Sequence, residues 1–165
     1  MKFILCLSIL GSILLLVAGD KRPNGPYSGC CSALAAIGPL VSYPGTPSYI
    51  NQSTDLDNGY WSILEAELLP ASRLKPTDTS ELARDVKILS SNKCQFAIRS
   101  GGHMARKGAA NVDGKGKDGV TIDLSALDQV QEIDSWFPYG AVRTDKVVKI
   151  SSGAHWRDVY AEECK

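Results

Sequence analysis

Cys94-Gln95-Phe96-Ala97-Ile98-Arg99-Ser100-Gly101-Gly102-His103 is the stretch on which the reading of this chain turns. Its first half, residues 94–98, is short and mostly apolar, which predicts a strand. Two glycines follow almost at once. Glycine permits positive φ and lets the backbone come close to a ligand. Successive N–H groups in such a turn can form a nest for phosphate oxygens. Arg99 adds a positive charge or pairs with a carboxylate, and His103 sets an imidazole beside the nest. Taken alone, the stretch reads more readily as a plain turn.

The neighbouring elements give the turn a setting. Upstream, Pro76 precedes a helix with Asp78 as its cap and Glu81 three residues on in the capping-box position. Leu82, Val86 and Leu89 recur at helical spacing with Ala83 behind them, which leaves Arg84, Asp85 and Lys87 for the wet face. Downstream, Val120-Thr121-Ile122-Asp123-Leu124 alternates as a second strand, and residues 147–150 predict a third. Trp156, Val159 and Tyr160 start a helix near Ala154, with His155 as a capping or surface residue. Before all of these, residues 31–37 read as a short helix, residues 41–46 as a strand running into the Pro44-Gly45 turn, and residues 60–64 as a packed segment. Helices alternating with strands favour an α/β or α+β layer over an all-β sandwich. The last helix has no following strand to pack beside, which suggests a domain cut short.

A second glycine pattern is a decoy. Gly114-Lys115-Gly116-Lys117-Asp118-Gly119 matches the letters of the dinucleotide fingerprint. That fingerprint needs a strand before it and a helix after it. Here a polar loop precedes and a strand follows, so the segment reads as a flexible surface loop. A P-loop fails too, for want of the upstream glycine and the trailing Ser or Thr.

Bulk properties set the compartment. Lys2, the apolar run from Phe3 to Val17, and small Val17 and Gly19 ahead of Asp20 form the pattern of a secretory signal peptide. A membrane anchor is the alternative, but the run is short for a span of about 20 residues. No membrane association is expected once residues 1–19 are removed. The chain carries 18 basic and 18 acidic residues for a formal charge of zero, so nucleic acid is not an expected partner. Of five cysteines, Cys6 lies in the leader; Cys30, Cys31, Cys94 and Cys164 remain, as bridges in an oxidising compartment or as buried thiols. No CxxC pair or histidine cluster offers a metal site. Asn51-Gln52-Ser53 is a glycosylation sequon, expected on a surface loop.

Arg99-Ser100-Gly101-Gly102-His103, with the strand before it, resembles the pyrophosphate loop of FAD-linked oxidases of the berberine bridge enzyme-like branch of the vanillyl-alcohol oxidase superfamily. Leu74-Lys75-Pro76 with its helix, residues 119–125, and Ile150 through Gly153-Ala154-His155-Trp156 to Tyr160 are similar to the family's succeeding elements. Cys31-Ser32-Ala33-Leu34, Pro44-Gly45 and Tyr60-Trp61 are similar to its lead-in. The resemblance runs from Cys30 to Tyr160. It implies an α+β fold, the α/β-like N-terminal lobe of a PCMH-type FAD-binding domain at residues 70–165, behind a lead-in at residues 20–69.

The resemblance also implies chemistry. FAD would be the cofactor, its pyrophosphate cradled by Arg99, Ser100, Gly101, Gly102, His103 and Met104, with His103 bonded to the 8α-methyl of the isoalloxazine. The protein would be a secreted oxidoreductase that oxidises an alcohol, sugar or other small molecule, with dioxygen as acceptor and hydrogen peroxide as product. A disulfide would tie Cys94 to Cys31, with Cys30 as rival. Met104 departs from the small or polar residue usual after the histidine. Cys164 sits in no motif comparable to the family's second covalent anchor. The family's substrate domain lies outside the matching stretches, so no catalytic acid or base is named. A second expectation is a secreted, non-catalytic protein derived from a truncated oxidase gene, and a third is an unrelated secreted α/β domain.

Overall fold

The computed structural model describes residues 29–35, 41–54, 59–114, 118–137, 139–140 and 145–163. The expected signal peptide, Cys164 and Lys115–Lys117 of the second glycine pattern lie outside them.

Four strands form the main sheet. In chain order they are β1 (Val41–Ser42), β2 (Ser72–Leu74), β3 (Phe96–Arg99) and β4 (Val120–Asp123). Their spatial order is β1-β2-β4-β3; β4 lies parallel to both β2 and β3, and β1 is antiparallel to β2. Two further strands, β5 (Val130–Trp136) and β6 (Asp145–Ile150), form a separate antiparallel ribbon with a register shift between Ile133 and Trp136. The helices are α1 (Gly29–Ala35), α2 (Pro47–Thr54), α3 (Ile63–Ala66), α4 (Thr79–Ser91) and α5 (Trp156–Glu163). This is the α+β arrangement expected. Gly119 leads directly into β4, so no helix follows the second glycine pattern and a dinucleotide fingerprint is excluded there.

The helix after Pro76 forms for the expected reason, with one shift of partner. Asp78 Oδ1 accepts from the N–H groups of Ser80 and Glu81. Glu81 turns one residue further back than a capping box would, and accepts from the N–H and the hydroxyl of Thr77. At the other end, Cys94 N–H donates to Leu89 O and Lys93 N–H to Ser90 O, with Lys93 left-handed at φ 54°. That is the Schellman pattern, built on a lysine where glycine is usual. Asp85, expected on the wet face, is buried beside Leu89. Burial pushes its carboxyl above the usual carboxylate range, only partly offset by Arg84.

The sheet has two unlike faces. One carries Leu74, Val120 and Ile122, packed with Cys31 and Leu34 of α1 and Leu89 of α4. The other follows from strand alternation and carries Arg73, Thr121, Asp123 and Arg99. It is buried as well. Thr121 donates to Asn111 Oδ1 at 2.7 Å, and Asn111 Nδ2 donates to the carbonyls of Glu65 and Leu68. The alternation in β4 therefore marks an apolar core on one side and a hydrogen-bonded polar layer on the other. Residues 60–64 depart from expectation: Tyr60 packs into this layer, while Trp61, Ile63 and Leu64 are exposed.

The disulfide joins Cys30, not Cys31, to Cys94. Helix geometry explains the correction. Cys31 and Leu34 lie three residues apart on one face of α1, and that face is pressed into the core. The Cys31 thiol donates to Ser72 Oγ at 3.3 Å, and its burial raises its pKa. Cys30, about 100° round the helix, is the residue left facing Cys94.

Candidate functional site

The turn after β3 is held from three sides. Gly102 is buried and left-handed at φ +68°, and a Cβ there would meet Gly59 O at 2.7 Å. Its carbonyl accepts from Trp61 N–H at 3.0 Å. Three residues on, Ala105 O accepts from Ser62 Oγ at 3.2 Å. Ser62 stands at the N-cap of α3 but spends its hydroxyl on this loop rather than on the helix. From the second side, Ser100 Oγ donates to Ser152 O, and the His155 ring lies 3.8 Å from where a Cβ of Gly101 would sit. From below comes Arg99.

Arg99 does not serve the turn's open surface. It is 1% exposed, and its guanidinium bonds Asp123 Oδ2 at 2.7 Å and Gln52 O at 2.6 Å. It also lies 4.9 Å from the centroid of the Tyr60 ring. Of the two roles left open for Arg99, its side chain takes the carboxylate pair, and that buried pair anchors the base of the loop. Arg73 mirrors it across Tyr60: fully buried, stacked on the Tyr49 and Tyr60 rings, and bonded to the Tyr60 hydroxyl at 3.0 Å. Burial raises the Tyr60 pKa, opposed by the two arginines.

The remaining loop residues are the ones a ligand can reach. Ser100, His103 and Met104 are exposed and Gly101 is half-buried. Among the described residues, the N–H groups of Gly101, Gly102, His103 and Met104 donate to no protein acceptor. The His103 imidazole stacks on the Trp61 indole, with centroids 5.1 Å apart and planes 24° from parallel. Ser152, on the facing loop, also borders a cavity of about 310 Å³ walled by Thr77, Asp78 and Lys149. A left-handed glycine, unpaired N–H donors and a presented imidazole fit the pyrophosphate and ring of FAD. Trp61 and Ser152 escaped the sequence reading because no local pattern links either to the glycine turn. Asn51 is exposed, on α2 rather than on a loop. Among the described residues no cluster of His, Cys, Asp or Glu could hold a metal, and no helix is long and apolar enough to cross a membrane.

Comparison with known proteins places the chain in a family. Residues 70–163 match the FAD binding domain family, so the chain belongs to that family and FAD is its cofactor. FAD-dependent monooxygenase tpcD of Cochliobolus heterostrophus is 25% identical over 172 residues, which cover 98% of this chain and 30% of that protein. FAD-dependent monooxygenase sdcF of Emericella nidulans is 32% identical over 134 residues, 79% of this chain and 24% of that one. The chain thus spans less than a third of the length of either. Among solved structures, BBE-like #28 from Arabidopsis thaliana superposes with a TM-score of 0.59 at 17% identity, over 82% of this chain and 24% of that one. The berberine bridge enzyme-like resemblance read from the loop therefore holds at the level of fold.

Proposed function

We propose that this chain is the N-terminal, FAD-holding part of a secreted oxidoreductase that oxidises an alcohol, sugar or similar small molecule at the expense of dioxygen. The observation that carries the reading is the exposed His103 imidazole beside a left-handed glycine and a run of unpaired N–H donors. Gly101 to Met104 would donate to the pyrophosphate, as backbone nests do. When bound, the flavin supplies two-electron redox chemistry. The two relatives named above are called monooxygenases; oxidation and monooxygenation both consume dioxygen, so that co-substrate is common to either reading.

His103 would also make the cofactor's covalent anchor. Its ring nitrogen would form the new bond to the 8α carbon. In that coupling His103 would give up its N–H hydrogen and the 8α-methyl one hydrogen, both leaving to dioxygen as hydrogen peroxide. The test is direct. The full-length flavoprotein should keep its flavin through acid precipitation, and His103→Ala should release all of it to the supernatant. Flavin that stays with His103→Ala after denaturation would assign the bond elsewhere.

Secretion rests on the leader pattern of residues 1–19 and on the Cys30–Cys94 bridge, which suits an oxidising compartment. The protein recovered from its source's medium should begin at Asp20. An N-terminus at Met1, or retention inside the cell, would overturn that part of the reading. The exposed Trp136, Phe137, Trp156 and Tyr160 suit a chain that packs against further protein, since exposed large apolar groups commonly mark interaction surfaces.

A further inference from the structure

We infer that Trp61 is the positioning residue that orients the His103 imidazole for attachment to the flavin, an inference that rests on the covalent reading above. A histidine on an exposed turn would ordinarily sample several rotamers, each presenting its ring nitrogens differently. Covalent coupling needs one of them, with the nucleophilic atom in near-attack range and correctly aimed. Here the imidazole lies face to face with an indole.

The indole is itself placed by a rigid frame. Trp61 N–H is bonded to Gly102 O, so the two stacked residues are tied through backbone at one residue's remove. Gly59 O fills the space a Gly102 side chain would take. Ser62 Oγ holds Ala105 O on the far side of the histidine. Tyr60 between them is wedged against the guanidinium groups of Arg99 and Arg73. The segment 59–62 therefore grips residues 102–105 at both ends, and the stack closes the middle.

Trp61 does little else that the structure reveals. It is 65% exposed and takes no place in the core. Leaving a large apolar ring in water has no packing benefit, and among the described residues its ring contact is His103. A merely structural tryptophan would be expected to point inward, as Tyr60 does.

The experiment separates binding from coupling. The apo form of the full-length flavoprotein is mixed with FAD, and two quantities are followed: total bound flavin, and flavin retained after acid precipitation as a function of time. Trp61→Leu should bind FAD within about twofold of the parent. Its coupling rate should fall roughly three- to tenfold, the effect expected from losing one aromatic pair. Trp61→Phe should recover most of that rate, because a smaller ring still stacks. His103→Ala should not couple at all. If the parent couples and Trp61→Leu couples equally fast, the role of Trp61 is overturned while the attachment stands. If the parent releases all its flavin to acid, the attachment reading falls and the role of Trp61 falls with it. Should Trp61→Leu not fold, the parent alone decides by proton NMR. The His103 ring protons should be shifted upfield by the indole ring current, and unshifted resonances would overturn the stack and the inference.

Discussion

Asp123→Ala is expected to cost roughly 3–5 kcal/mol of stability, seen as a fall in melting temperature of about 10–20 °C for a chain of this size. The reason is the charge left behind. Arg99 and Asp123 are 1% and 0% exposed and bonded at 2.7 Å. Asp123 Oδ1 also accepts from Ser125 N–H, which turns the chain out of β4. Removing the carboxylate strands a guanidinium whose Nε already has no partner. Water can reach it only by opening the polar layer that holds Tyr60, Gln52 and the base of the glycine turn. Asp123→Asn keeps the acceptor for Ser125 and should lose less. The pair Arg99→Met with Asp123→Leu removes both charges and should recover much of the loss, because an apolar replacement of a buried ion pair is often neutral. A melt of Asp123→Ala within about 3 °C of the parent, on the same scale, would mean that the pair is not what holds this layer.

That ion pair also marks the boundary of what the sequence could reveal. Strand β3, the glycine turn, α4, β4 and α5 were legible because their signals are local: a cap, a helical period, a short apolar run. The same local logic misplaced Asp85, while for Arg99 it left open the carboxylate pair that the structure shows. A local reading sends Asp85 to water, and only the packing of α4 on the apolar face buries it beside Leu89; which carboxylate pairs with Arg99 emerges only on the opposite face, assembled from distant segments. Strand β2 escaped for the same reason, since Ser72-Arg73-Leu74 reads as a loop until Arg73 is seen buried between two tyrosine rings. Strand β5 escaped because Val130-Gln131-Glu132-Ile133-Asp134-Ser135-Trp136 is mostly polar and its alternation breaks at the register shift. Helix α2 did carry a signal. Thr46 Oγ1 accepts from Tyr49 N–H, and Pro47 takes the first helical position, but the adjacent Pro44-Gly45 turn masked both. In the site, the glycine turn and His103 were legible. Trp61 was not, because its partnership with His103 exists only once the two segments meet.

Cys30→Ala should be the other large effect. The bridge to Cys94 closes a loop with a sequence separation of 64 residues. On the chain-entropy estimate, losing such a loop costs about 4 kcal/mol. Cys31→Ala should cost only about 1 kcal/mol, the worth of one small buried group and one weak hydrogen bond. The contrast is informative because the two cysteines are neighbours and the family resemblance favours Cys31, whereas the bridge forms through Cys30. If the pairing were interchangeable, Cys31 would rescue Cys30→Ala and the two variants would melt alike. The geometry argues against rescue. The Cys31 thiol faces Ser72 across the core, so reaching Cys94 would require α1 to turn by about 100° and Leu34 to leave its buried site. Its raised pKa keeps it in the thiol form, and it is the thiolate that exchanges. Peptide mapping without reduction, on protein folded under oxidising conditions, decides the matter. The Cys30–Cys94 peptide should persist in Cys31→Ala, and no peptide linking Cys31 to Cys94 should form in Cys30→Ala. Appearance of that second peptide, with a melt close to the parent's, would show that α1 is free to rotate and that the core face assigned to Cys31 and Leu34 is not fixed by packing.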